Sequence, residues 1–379
     1  MRKIFDAVHS YARESDMLLL VISLICSVFG VVLISSATRV YGGGTQVAVQ
    51  ILAIFLGVAA YIVTSLIDID ILADKYKLLF ILGALFICTL FIWGVEDDTG
   101  NKAWLRFFGI GVQPAEVVKL VYIIIIARLI SERRDRRELN SPGSILRIVG
   151  VFLAYFALLI LSSRDLGSAL VYAFILAVVM FIGGVYLRWF ALAGGALAAS
   201  APLIWTRALT EKQQLRIRVM FDPMADPTGL ETMWQANQSK TAISAGRFLG
   251  QGLYKGRMTQ SDLIPQQHTD FIFSAAGEEF GFVGCAVVIL LLMILVGRCL
   301  YVGVKSNSSL GLLVCTGVAA TLVFQTLENV GMCLGLTPVI GLTLPFFSYG
   351  GSSVVSTFIA IGLVSGIKMR PKPTRYRNM

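Results

Sequence analysis

Apolar runs of roughly 17 to 25 residues, each long enough to cross a bilayer, alternate along this chain with short polar connectors. The runs are Met17 to Ala37, Val47 to Leu66, Leu78 to Val95, Pro114 to Ile130, Ile145 to Leu161, Leu166 to Val185, Arg188 to Trp205, Phe282 to Leu300, Leu310 to Leu336 and Ser352 to Ile367. The pattern predicts an all-α integral membrane protein of ten transmembrane helices, in a single domain spanning residues 1–379. No repeat of solenoid length is visible, and an inverted repeat of the transporter kind stays open.

Polar connectors longer than a turn are few. The segment Thr206 to Glu279, between the seventh and eighth runs, is about 70 residues long, beyond what a passive connection needs. Its content predicts one or two amphipathic helices on the membrane, then a glycine-rich turn (Gly246, Gly250, Gly252, Gly256) and a mobile loop returning at Pro265. Disorder is the alternative, which the aromatic and aliphatic content disfavours. Thr337 to Gly351 is apolar yet broken by Pro338, Gly341, Pro345, Gly350 and Gly351. Such a break is tolerated at membrane depth only against protein or a water-filled cavity.

Composition agrees: 56% of the 379 residues are hydrophobic and 15% charged, where soluble domains carry about 25%. An even number of spans puts both termini on one side, and the positive-inside rule makes that side cytoplasmic. Arg2, Lys3 and Arg13 begin the chain, Arg133, Arg134, Arg136 and Arg137 fill a connector, and Lys368, Arg370, Lys372, Arg375 and Arg377 end it. Residues 1–16 and 368–379 are then cytoplasmic, and residues 206–279 form an extracytoplasmic loop. The first apolar run lacks a small-residue cleavage site after it and reads as a retained span. The net charge of +9 is spread over short loops without interleaved aromatics, which argues against nucleic acid. All six cysteines fall inside apolar runs, with no CxxC pair. Two histidines, His9 and His268, on opposite sides, exclude a His-based zinc site.

On that topology the candidate chemistry gathers at the outer face. Asp270 comes first, followed at helical spacing by Ser274 and Glu278, with Glu279 adjacent. The competing reading is an N-cap. Gln113-Pro114-Ala115-Glu116 opens the fourth run, with Glu116 and Lys119 on one face as a structural ion pair or as a presented ammonium. Lys102, Trp104 and Arg106 lie just upstream, and Arg164-Asp165 sits in a tight turn that reads equally as a capped one. Glu328 and Asn329 lie deep in the ninth run, where a polar partner from another helix is expected. Ser348, in Phe346-Phe347-Ser348-Tyr349-Gly350-Gly351, precedes a helix start, a geometry suited to anions.

These motifs resemble the SEDS family (RodA, FtsW, SpoVE) over nearly the whole chain. The resemblance rests on Gln113-Pro114-Ala115-Glu116 with Lys119, Asp165-Leu166-Gly167-Ser168, Gln238-Ser239-Lys240, His268-Thr269-Asp270-Phe271-Ile272-Phe273 with Gly277-Glu278-Glu279, and Leu344 through Ser353. Asp222 through Pro227 and Gln238-Ser239-Lys240 resemble the RodA branch more than FtsW. The resemblance implies a peptidoglycan glycosyltransferase that polymerises lipid II at the outer face of the bacterial cytoplasmic membrane, with a class B penicillin-binding protein as partner. It serves elongation, cell shape or division alongside other proteins of those complexes, with membrane lipids and undecaprenyl-pyrophosphate-linked glycan as further partners. In that family the aspartate matching Asp270 is required for polymerisation, and the residues matching Trp104, Glu116 and Lys119 line the same cavity. The chain departs from the family at Ala103, where a basic residue is usual, and at Arg164, where proline is usual.

Inversion at the sugar needs one carboxylate as general base, assigned to Asp270, with Glu278 or Glu279 tuning it and His268 as second candidate. The pyrophosphate leaving group needs cations, for which Lys119, Lys102, Arg106 and Lys240 are available. The full substrate-binding set is Trp104, Lys102, Arg106, Gln113, Glu116, Lys119, Asp165, Lys240, His268, Glu278 and Ser348. A divalent cation, magnesium or manganese, stays open. A lipid II flippase or a non-catalytic scaffold are the alternatives.

Overall fold

The computed structural model describes residues 9–96, 101–107, 110–222 and 232–370. The first eight residues, the tail beyond Arg370 and the Pro223 to Pro227 part of the RodA-like stretch lie outside them.

The long helices are α1 (Met17–Ala37), α2 (Gly44–Leu66), α3 (Tyr76–Cys88, prolonged by Leu90–Trp93), α4 (Pro114–Asp135), α5 (Pro142–Ser163), α6 (Leu166–Gly183) and α7 (Leu187–Leu203). Two helices of the long connector follow, α8 (Glu211–Phe221) and α9 (Thr232–Gly246). The last three are α10 (Ile272–Lys305), α11 (Ser309–Cys333) and α12 (Gly351–Met369). Nine of the described helices are long and apolar enough to cross a membrane. The tenth long one, α4, carries Glu116, Lys119 and a charged last turn. The all-α expectation needs one small correction: Leu105–Phe107 (β1) and Ile110–Val112 (β2) pair antiparallel, and Val95 bridges Trp104.

Small residues set the closest helix approach, as suits a bundle without water to squeeze out between helices. Along α2 and α12, a β-carbon on Gly57 would fall 2.4 Å from the Phe358 ring, and one on Gly362 would fall 2.2 Å from Thr64 Oγ1. The outer surface is apolar, with Phe55 70% and Ile92 74% exposed, while α7 buries none of its residues. An apolar perimeter of this extent marks a lipid-facing surface.

The long connector departs from its sequence reading. It ends at residue 271, because α10 begins at Ile272, ten residues before the apolar run that starts at Phe282. Gly281 sits between the two points with φ 65° and ψ −160°, breaking α10. The freed backbone groups are taken up by the glycine-rich turn: Phe282 N donates to Arg247 O at 2.9 Å, Gln251 N to Glu278 O at 2.9 Å and Gly252 N to Glu279 O at 3.0 Å. A β-carbon at Gly246 would fall 1.8 Å from Gly277 O and one at Gly250 2.1 Å from Glu279 O, so glycine is required at both contacts. Instead of lying on a membrane surface, α9 packs on α10 and buries Ser239 and Ala242 completely. The loop expected to be mobile is packed too, with Thr259, Ile264 and Gln267 buried.

The broken segment after α11 is inserted into protein. Phe346 and Phe347 are buried, and Gly30 of α1 lies so close that a β-carbon there would fall 2.6 Å from Phe346 O. Gln50 of α2 clamps the segment by donating to Ser348 O at 3.2 Å and accepting from Gly350 N at 3.2 Å.

Candidate functional site

Two polar centres stand out among the described residues, one around Glu116 and Asp165 and one around Asp270. In the first, Glu116 and Lys119 of α4 make a buried ion pair, with Lys119 Nζ 2.8 Å from both carboxylate oxygens. Ser356 of α12 and Gln325 of α11 also donate to Glu116, at 3.1 and 3.4 Å. Asp165 caps α6, accepting from Ser168 N at 2.9 Å, Ser168 Oγ at 2.6 Å and Gln113 Nε2 at 3.1 Å. Burial pushes its carboxyl above the usual range, against the pull of those donors. Every charge here has an intramolecular partner, so the Lys119 ammonium expected to meet a phosphate is directed onto Glu116 instead. Arg164, where the resembling family has proline, adopts φ 57° and closes α5 in the left-handed region. Proline's ring, fixed near −65°, does not fit that turn.

The second centre is built around Asp270. The N-cap reading fails: Phe271, not Asp270, holds the cap position of α10 and makes no side-chain cap hydrogen bond. Asn329 of α11 fixes the Asp270 backbone, its Nδ2 donating to Asp270 O at 2.7 Å and to Leu342 O at 2.7 Å. The carboxylate lies against Gly341, where φ is 75° and a β-carbon would fall 3.2 Å from Asp270 Oδ2. Two charged groups from distant elements interact with it electrostatically, Arg216 of α8 and Glu328 of α11. Burial holds the Arg216 guanidinium below its usual range, and the charge of Asp270 opposes that. Glu328 is 5% exposed, and neither carboxylate oxygen has a hydrogen-bond partner among the described residues. Among the described residues Glu328 lacks the hydrogen-bond partner expected for it; for Asn329 the partner is the backbone of the Asp270 loop.

The remaining candidates separate into site and scaffold. Lys240 of α9 is half-buried and lies against Gly335, just past α11. His268 packs against Tyr349 with ring centroids 5.6 Å apart, and burial lowers its pKa against the opposing charge of Asp262. Trp104 is half-buried over Gly111, whereas Lys102 and Arg106 are exposed on the hairpin segment. Glu278 does not tune Asp270: its carboxylate accepts from Met258 N at 2.8 Å, Thr259 N at 2.9 Å and Thr259 Oγ1 at 2.7 Å, capping the short helix Arg257–Gln260. Glu279 likewise accepts from Ser36 Oγ of α1 at 2.6 Å. Ser348 is a clasp, donating to Thr269 O at 2.6 Å and accepting from Leu344 N at 2.8 Å, and so is not presented to an anion. Among the described residues no group of three or more His, Cys, Asp or Glu is placed to hold a metal.

Sequence reasoning missed Arg216 altogether and left Glu328 outside the site. Arg216 gives no local signal, since it lies far from Asp270 along the chain. Glu328 does give one, because a carboxylate inside an apolar run is costly unless it has a task.

The family described as "Cell cycle protein", covering FtsW, RodA and SpoVE, matches residues 16–372. A "Probable peptidoglycan glycosyltransferase FtsW" of Trichlorobacter lovleyi is 31% identical over 369 residues, 94% of this chain and 95% of that one. "Peptidoglycan glycosyltransferase MrdB" of Escherichia coli K12 is 30% identical over 290 residues, 76% of this chain and 77% of that one. Among solved structures, a chain from a peptidoglycan synthase complex, described for its structural coordination of polymerization and crosslinking, is similar at TM-score 0.80 and 28% identity. That match covers 96% of this chain and 99% of the other. The rod shape determining protein RodA of Thermus thermophilus is similar at TM-score 0.69 and 26% identity, over 95% of this chain and 98% of that one. The chain belongs to the FtsW/RodA/SpoVE family.

Proposed function

We propose that this protein is a peptidoglycan glycosyltransferase that polymerises lipid II at the outer face of the bacterial cytoplasmic membrane. Family membership and relatives that bear the glycosyltransferase name support the reaction class. One observation carries the site: Asp270 precedes the cap position of α10, its carboxylate lies against Gly341, and Arg216 and Glu328 from distant elements interact with it electrostatically. Ten spans with both termini cytoplasmic, in a single domain, belong to this proposal, supported by nine described helices apolar enough to cross a membrane together with α4. The Asp16, Arg298 and Lys368 cluster then marks the cytoplasmic end.

In this reading Asp270 takes the proton of the acceptor 4-hydroxyl as that oxygen attacks the anomeric carbon in line, and the lipid pyrophosphate departs with inversion. Negative charge grows on the leaving group and needs cations aimed at it. Lys119 is paired with Glu116, so Arg216 and Lys240 are the cations that serve, with Lys102 and Arg106 on the hairpin meeting the sugar-pyrophosphate from outside. Lipid tails stay among the helices while the sugars occupy the site. A class B penicillin-binding protein is the partner, in keeping with the solved synthase complex.

The test is to purify the protein with that partner and add labelled lipid II. Glycan polymer on a gel supports the reading. Absence of polymer, with lipid II crossing the membrane of liposomes that hold the protein, replaces it with the flippase.

A further inference from the structure

Glu328 interacts electrostatically with Asp270 and has no role yet in the chemistry. It is 95% buried by area, being 5% exposed, and its two oxygens receive no hydrogen bond among the described residues. A buried carboxylate without a donor is costly to keep, so it is not explained by packing. The next residue, Asn329, is hydrogen-bonded to the Asp270 backbone at 2.7 Å, which anchors this part of α11 against the Asp270 loop. The two carboxylates interact electrostatically; interacting like charges disfavour each other, and protons then leave the two groups as a pair.

We infer that Glu328 and Asp270 form one coupled carboxylate pair, and that Glu328 is a positioning residue setting how tightly the proposed base holds a proton. The charged and titratable groups around the pair are Arg216 from α8, which interacts with Asp270, and the Cys333 thiol of α11, which interacts with both carboxylates. Lys240 of α9 lies beyond Cys333, against Gly335. Arg216 favours the charged form of Asp270, and Glu328, when ionised, opposes it. The pair lets the site hold its base ready while keeping it basic enough to take a hydroxyl proton. This inference rests on the glycosyltransferase reading, which supplies the task for Asp270.

The experiment compares the pH–rate profile of polymerisation for the complete protein and for Glu328→Gln, together with its partner. Removing the second carboxyl takes away the upper of the pair's two titration steps and leaves a single step in the profile. A Glu328→Gln profile that superimposes on an active parent's overturns the inference. Glu328→Leu gives the same comparison if the glutamine variant does not fold.

A second readout needs no activity. The carboxyl infrared band that disappears in Glu328→Gln is followed through a pH titration of the parent and of Asp270→Asn. Its midpoint falls when Asp270 is neutralised, and an unchanged midpoint overturns the pairing. A parent that makes no polymer sinks the glycosyltransferase reading, while the infrared titration still decides whether the pair exists.

Discussion

Asp165 and Asp270 both stand just before a helix, yet the structure uses them in opposite ways. Asp165 caps α6, receives three hydrogen bonds and adjoins a buried ion pair whose members satisfy each other. Asp270 lies before the cap position of its helix and interacts electrostatically with a buried glutamate that has no donor among the described residues. The residue types are the same in both centres, namely carboxylates and cations from several helices. What separates them is satisfaction. The first centre has settled its charges internally and holds α4, α6, α11 and α12 together, whereas the second includes a buried carboxylate, Glu328, whose oxygens have no hydrogen-bond partner among the described residues.

The sharpest way to break this contrast is to unpair the satisfied centre. Glu116→Ala leaves Lys119 buried and uncompensated, and costs about 3–5 kcal/mol of stability. Thermal unfolding in detergent reads the loss, and removing both partners together (Glu116→Leu with Lys119→Leu) recovers most of it. In the other centre, Arg216→Ala slows polymerisation by roughly 100-fold, about 2.7 kcal/mol, while leaving the unfolding temperature close to the parent's. A rate equal to the parent's moves the work to Lys240. Glu328→Leu does the reverse of Glu116→Ala and raises stability by about 1–2 kcal/mol, because it removes a buried group without partners.

The smallest effect concerns pH. Burial lowers the pKa of His268 from its ordinary 6.5, so the fold prefers the neutral ring. Its contribution is whole above that value and is lost as pH falls below it through the lowered folded value. His268→Phe flattens the decline of unfolding temperature with acidity over that window. An unchanged slope places the decline on other groups.

Local patterns carried much of the fold. The run Met17 to Ala37 coincides with α1, and the start of the eighth run at Phe282 marks the break at Gly281, where lipid-like composition begins even though the helix does not. Helical spacing put Asp270, Ser274 and Glu278 in one row, but α10 begins only at Ile272, and spacing could not show that each would meet a different distant element. Ser274 meets Ser239 of α9 at 2.5 Å, Glu278 meets the Met258–Thr259 turn, and Asp270 meets α8 and α11. Spacing reports which residues share a face and is silent on what the rest of the chain brings to it. Relatives of 31% and 30% identity bearing the FtsW and MrdB names do not separate the branches, so the RodA-like motifs stand as a resemblance.

The most direct measurement is polymer formation from labelled lipid II by the parent and by Asp270→Asn, each purified with the partner and checked for an unchanged unfolding temperature. The account predicts polymer from the parent and none from the variant. Equal polymer from both contradicts it and removes Asp270 as the base.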